Sequence, residues 1–144
     1  MEELKAYNKN YLTVYNIFKE KFNDCEISFE ELLIYILAPT ETGGTVNPIE
    51  ILTNKYYLFH ELVEICFLKR WGVPIDKYTI LMNPGRTYEA HYYAIKEELS
   101  LAREEGDYEW IKFRLNHVRD YLDDPNASRI LKDKFRRLLE VFQI

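Results

Sequence analysis

Cysteine is scarce in this chain: there are two in 144 residues, Cys25 and Cys66, in unrelated contexts and with no CxxC pair. That scarcity argues against a disulfide framework and against a thiolate zinc site. No apolar run approaches the roughly 18 residues that mark a membrane-spanning helix. The first residues, MEELKAYNKNY, lack the basic-then-apolar pattern of a secretory signal. The expectation is therefore a cytoplasmic protein with no membrane partner. A basic excess is missing too: the net charge is −5, so a nucleic-acid partner has no general electrostatic support. Internal repeats, low-complexity tracts and interdomain linkers are likewise absent from the sequence.

What is present is globular in composition, with 47% apolar and 30% charged residues. A chain of this length is expected to form one domain, residues 1–144, with a core that needs no covalent staple. Aromatic residues at 15%, twelve of them Tyr, fit a well-filled interior.

The periodicity is helical. Leu4, Tyr7, Tyr11, Val14, Tyr15, Phe18 and Phe22 recur at three and four across residues 2–22. Ser28 with Glu31 reads as a capping box opening a short helix that Pro39 closes. TETGGTVNP, Thr40–Pro48, reads as a loop. A long helix is expected from about Asn54 to Trp71, ended by Gly72 and Pro74, with an irregular link over Val73–Arg86. Another should run from Thr87 to about Glu105, stopped by Gly106. The last two are expected over Tyr108–Leu122, capped by Asp107, and from about Asn126 to Phe142 after Asp124-Pro125. The fold class is all-α, about six helices with short connections, with a short strand or hairpin near 45–52 as the one β alternative.

The informative segment is LFHELVEICFL, Leu58–Leu68, whose only polar residues are His60, Glu61 and Glu64. At about 100° per residue these three share an arc of about 100°. Lys55, Lys69 and Arg70 project from the other side, so this arc is not an ordinary solvated face. Buried carboxylates must be paired, protonated or bound to metal. The helix after it repeats the anomaly. Glu89, Lys96, Glu97, Ser100, Arg103 and Glu104 form its polar face, whereas His91 and Glu98 fall among the apolar residues. Two helices thus each aim a His and a Glu inward. Imidazole and carboxylate suit zinc, and iron or manganese where carboxylates dominate. His60 and Glu64, at i and i+4, can grip one ion from a single helix. His91 would add a third ligand and leave a position for water. Glu61 could then act as general base on that water.

HELVE resembles the HExxH motif of zincin metallopeptidases, with Glu64 where the second His would stand. AHYYAIKEE, read as AHxxAxxxE, is similar to the second helix of small zincin-like prokaryotic proteins. The resemblance spans roughly 40 residues. It implies a metal-dependent hydrolase of peptide or amide bonds, with a peptide or small-molecule substrate and a divalent metal, zinc foremost. His60, Glu64 and His91 would be ligands, Glu61 the base, and Glu98 a fourth ligand or an orienting group.

Two rival readings stand beside this one. The first is a non-catalytic helical interaction protein whose His/Glu cluster is a buried hydrogen-bond network. The second is a di-iron or di-manganese carboxylate protein, although that class uses Glu-x-x-His and here His60 precedes its carboxylates. Arg114, near Trp110, Val118 and Tyr121, would pair with Glu98 or bind an anionic substrate, or simply lay its stem on the core edge. Tyr88 is a candidate substrate contact, and Tyr92 and Tyr93 read as packing residues with a wet tip. His117 reads as structural or exposed, and Cys66 as an inert core residue.

Overall fold

The structure, a computed structural model, describes residues 2–39 and 47–143. Among these residues there are eight α-helices, preceded by a 3-10 helix over Glu2–Tyr7, and no strand. The all-α expectation therefore holds, but the helix number is higher than six. Residues 45 and 46 of the expected strand lie outside the described residues. The remainder is helical: α3 runs Pro48–Thr53. Its start follows from local chemistry. The Asn47 side chain accepts from the N–H groups of Ile49 and Glu50, and Pro48 occupies the first turn, where its missing N–H costs nothing. The second extra helix is α5, Thr79–Met82, inside the link read as irregular.

The chain packs as two compact units, Met1–Ala94 and Ile95–Ile144. In the first, α1 (Asn8–Lys21), α2 (Phe29–Ile36) and α3 pack on α4 (Lys55–Arg70). Leu58, Phe59, Leu62, Val63, Ile65, Cys66 and Leu68 of α4 are at most 1% exposed, so this helix is apolar nearly all round because it is enclosed nearly all round. Fully burying each of the large aliphatic or aromatic side chains is worth about 1.5–3 kcal/mol as an upper bound. Asn54 caps α4, its side chain accepting from Tyr56 and Tyr57 N–H. At the other end Gly72, at φ 77°, lets the N–H of Val73 reach the carbonyl of Leu68 and its own N–H reach Lys69, a Schellman ending.

The connection between α1 and α2 is clamped onto α4. Lys69 bonds Glu31 and the carbonyl of Glu26, and Arg70 grips Asp24 with two nitrogens at 2.6 and 2.9 Å. Within this clamp Cys25 and Cys66 form a disulfide, their Cα atoms 5.7 Å apart. This overturns the sequence reading in which neither cysteine was paired. The two positions meet because the α1–α2 link folds back along α4, across 41 residues of sequence.

The second unit holds the end of α6 (Pro84–Glu104), α7 (Tyr108–Tyr121) and α8 (Arg129–Phe142), with α7 and α8 packed together. Ile95, Leu99, Ile111, Leu115, Val118, Phe135 and Leu138 are among its buried apolar residues. Gly106, at φ 72°, ends α6 with the same Schellman pattern, Asp107 N–H reaching Ala102. The start of α8 lies three residues beyond Asn126. Asp124 uses its carboxylate to close a turn on the Asn126 N–H, and Ser128 caps the helix through the Leu131 N–H. No helix among the described residues is long and apolar enough to cross a membrane.

Candidate metal centre

α4 brings His60 and Glu64 one turn apart on the face that meets the start of α6, where His91 lies. The two helices are fixed against each other within the first unit by rings. Phe67 stacks on Tyr93 at 4.7 Å, Trp71 meets the same ring edge-on, and Arg86 lies over Trp71. These contacts join α4 to the first part of α6, residues 86–93, within the first unit.

Three atoms converge. His60 Nε2 lies 2.7 Å from Glu64 Oε2 and 3.0 Å from His91 Nδ1, and His91 Nδ1 is 3.1 Å from the same Oε2. The side chains of His60 and Glu64 are 4% and 8% exposed, whereas that of His91 is 26% exposed, so the group is deep and His91 is its most exposed member. Burial alone would push the Glu64 carboxyl up; the His60 and His91 rings beside it outweigh burial and hold it below the usual carboxylate range.

While Glu64 is ionised, the three edges cannot all be hydrogen bonds at once. A ring nitrogen presents either a hydrogen or a lone pair, and an ionised carboxylate presents only lone pairs. With hydrogens on both nitrogens, the 3.0 Å edge sets two donors face to face. With a hydrogen on one, the other nitrogen turns a lone pair toward a carboxylate lone pair. A cation shared by the three atoms satisfies every edge. His60, Glu64 and His91 therefore form a group that could hold a metal ion. The two-nitrogen, one-carboxylate donor set suits zinc and other first-row ions.

The remaining carboxylate oxygen has its own partner, which sequence reasoning missed. Tyr35 of α2, 2% exposed, donates its hydroxyl to Glu64 Oε1 at 2.5 Å. Burial first, and then the charges of Glu64 and Glu61, push this hydroxyl well above the usual tyrosine range, so it stays a donor. A signal was available. Tyr35 is the one polar-tipped residue in LLIYIL, and a buried tyrosine hydroxyl usually finds a partner.

Glu61 is half-buried, next to His60 on α4, and close enough for its charge to bear on the Tyr35 hydroxyl. Tyr88 is half-buried, its ring edge-on to His91 at 6.5 Å. Glu98 and Arg114 belong to the second unit and to each other. Arg114 Nε donates to Glu98 Oε2 at 2.7 Å, and Trp110 Nε1 donates to the same oxygen at 2.6 Å. Glu98 is not part of the converging group.

No family model, characterised protein or solved structure matches this chain.

Proposed function

We propose that this protein is a zincin-like, metal-dependent hydrolase of peptide or amide bonds, with one divalent ion, zinc, on His60 Nε2, Glu64 Oε2 and His91 Nδ1. The observation that carries this reading is the triangle of 2.7, 3.0 and 3.1 Å, whose three edges cannot all be hydrogen bonds while Glu64 is ionised. Three protein ligands, one of them partly exposed, fit the three-ligand pattern of catalytic rather than structural zinc sites. Bound zinc would supply Lewis acidity, acidifying a water and polarising a carbonyl.

The chain's own residues would do the rest. Glu61 is the candidate base, taking a proton from the attacking water and returning it to the leaving amine. Substrate would arrive on the open side of His91, past Tyr88. The HELVE motif supports this division of roles by resemblance, with Glu64 replacing a histidine ligand.

The test is metal content by elemental mass spectrometry, with zinc titration, on untagged protein and on His60→Ala/His91→Ala. About one zinc per chain in the parent and none in the variant is expected. No uptake from micromolar zinc, iron or manganese would overturn the site. Two metals per chain would point to the dinuclear alternative instead. The hydrolase reading is tested separately by Glu61→Gln, expected to keep the metal and lose about 10²–10⁴-fold in peptide-bond hydrolysis.

A further inference from the structure

Glu64 divides its two oxygens between different partners. Oε2 faces the two imidazole nitrogens, and Oε1 takes the hydroxyl of Tyr35 at 2.5 Å. Tyr35 comes from α2, which packs on α4, so the contact is made by the fold of the first unit and not by the helix that carries the ligands. A phenylalanine would fill the same space. The hydroxyl is thus the part of this side chain that packing does not explain.

The consequence for a metal is specific. A carboxylate can bind an ion through one oxygen or through both. With Oε1 held by a buried donor at 2.5 Å, rotating the carboxylate to bring Oε1 onto the ion would pull it away from that hydroxyl and weaken the hydrogen bond. Two-oxygen binding would also occupy the position that water or substrate needs.

Resting on the metal-site reading above, we infer that Tyr35 is a positioning residue: its hydroxyl confines Glu64 to one-oxygen ligation through Oε2 and so keeps the fourth position open. Such outer contacts commonly change metal affinity about 10–100-fold when removed.

The experiment compares zinc affinity, and the visible spectrum of the cobalt(II)-loaded protein, in the parent, Tyr35→Phe and Tyr11→Phe. Tyr11 is a matched control. It is also a buried tyrosine of the first unit, and its hydroxyl donates to the carbonyl of Ile27. Tyr35→Phe should weaken zinc binding about 10–100-fold and convert an intense four-coordinate cobalt spectrum to a weaker five-coordinate one. Tyr11→Phe, which loses a comparable structural hydrogen bond, should leave both unchanged. Parental affinity and spectrum in Tyr35→Phe would overturn the inference while leaving the site intact. So would a five-coordinate spectrum in the parent, which decides the matter even if Tyr35→Phe does not fold. A parent that takes up no zinc or cobalt would overturn the site reading and this inference with it.

Discussion

Two buried carboxylates, one in each unit, have been solved in opposite ways. Glu98 meets a guanidinium nitrogen and an indole N–H, and Glu64 meets two imidazoles and a phenol. Arginine and tryptophan have only hydrogens to offer, so the two groups that meet Glu98 Oε2 present no lone pair that could turn to a metal. An imidazole offers either a hydrogen or a lone pair. That choice makes the Glu64 cluster convertible from hydrogen-bonded to metal-ligating. Burial of an acid is therefore a weak sign of a site, and the nature of its neighbours is a strong one.

Breaking the Glu98–Arg114 pair should have the largest effect. Arg114→Met removes the guanidinium from a buried carboxylate, and should cost about 3–5 kcal/mol. Replacing both residues together with apolar ones of similar volume should restore most of that loss. The readout is urea unfolding followed by Trp110 fluorescence in a Trp71→Phe background, since these are the two tryptophans of the chain. Glu98→Gln, in the same series, should leave zinc affinity unchanged, because Glu98 is outside the converging group and its Oε2 is held by Arg114 and Trp110. A fall in zinc affinity there would return Glu98 to the ligand set implied by the motif resemblance.

The first unit has a covalent counterpart to that ion pair in Cys25–Cys66, which closes a separation of 41 residues. In the chain-entropy account a loop of this size is worth about 4 kcal/mol, and measured values usually fall at about 2–4. Cys25→Ser/Cys66→Ser should lower the urea midpoint accordingly, followed by Trp71 in a Trp110→Phe background. Dithiothreitol should lower the parent's midpoint by a similar amount and leave that of the double variant unchanged.

The two acids also differ in how far they were legible. The arc of His60, Glu61 and Glu64 opposite Lys69 and Arg70 pointed to α4, because a polar residue on an otherwise apolar helix must be compensated. The inward turn of His91 followed from the same logic. Glu98 satisfied the same criterion and is engaged elsewhere. Inwardness names a buried face without naming what faces it, and the choice between Arg114 and the imidazoles is made by tertiary packing. The disulfide was illegible for the same reason. Nothing local to Cys25 or Cys66 records that a link between two helices folds back over a third. Helix ends set by a local cap were the easiest part, since Gly72, Gly106, Ser28, Asn54 and Asp107 act on their own neighbours, whereas α6 begins at Pro84 and not at the expected Thr87. The strand expected near 45–52 failed where local chemistry was underread, at the Asn47-Pro48 start of α3.

A smaller effect should come from acid. In the metal-free protein the Glu64 carboxyl is held below its ordinary range, so the folded state binds this proton less readily than the unfolded chain. Its contribution to stability is therefore fully present above the unfolded carboxylate pKa of about 4.3. It is lost as pH falls from there toward the folded value. Thermal melts of the metal-free parent and Glu64→Gln should differ by a constant amount at neutral pH and converge as the solution is acidified. Divergence on acidification would have the wrong sign and would refute the paired state of Glu64.

The smallest effects sharpen the comparison most finely. Asn54 caps α4 with bonds of 2.9 and 3.1 Å, and Ser128 caps α8 with one of 3.2 Å. Replacing either by alanine should cost about 1 kcal/mol, since each leaves helix N–H groups to water or to nothing. The stability losses should be alike, but the consequences for metal should not. His60 stands in the second turn of α4, so fraying of its first turn loosens a ligand, whereas α8 carries none. Zinc affinity should fall in Asn54→Ala and hold in Ser128→Ala, measured by competition with a chromophoric chelator. Equal losses of affinity in the two would mean that metal binding follows overall stability. A loss confined to Asn54→Ala would mean that it follows the order of α4, the helix on which two of the three ligands are built.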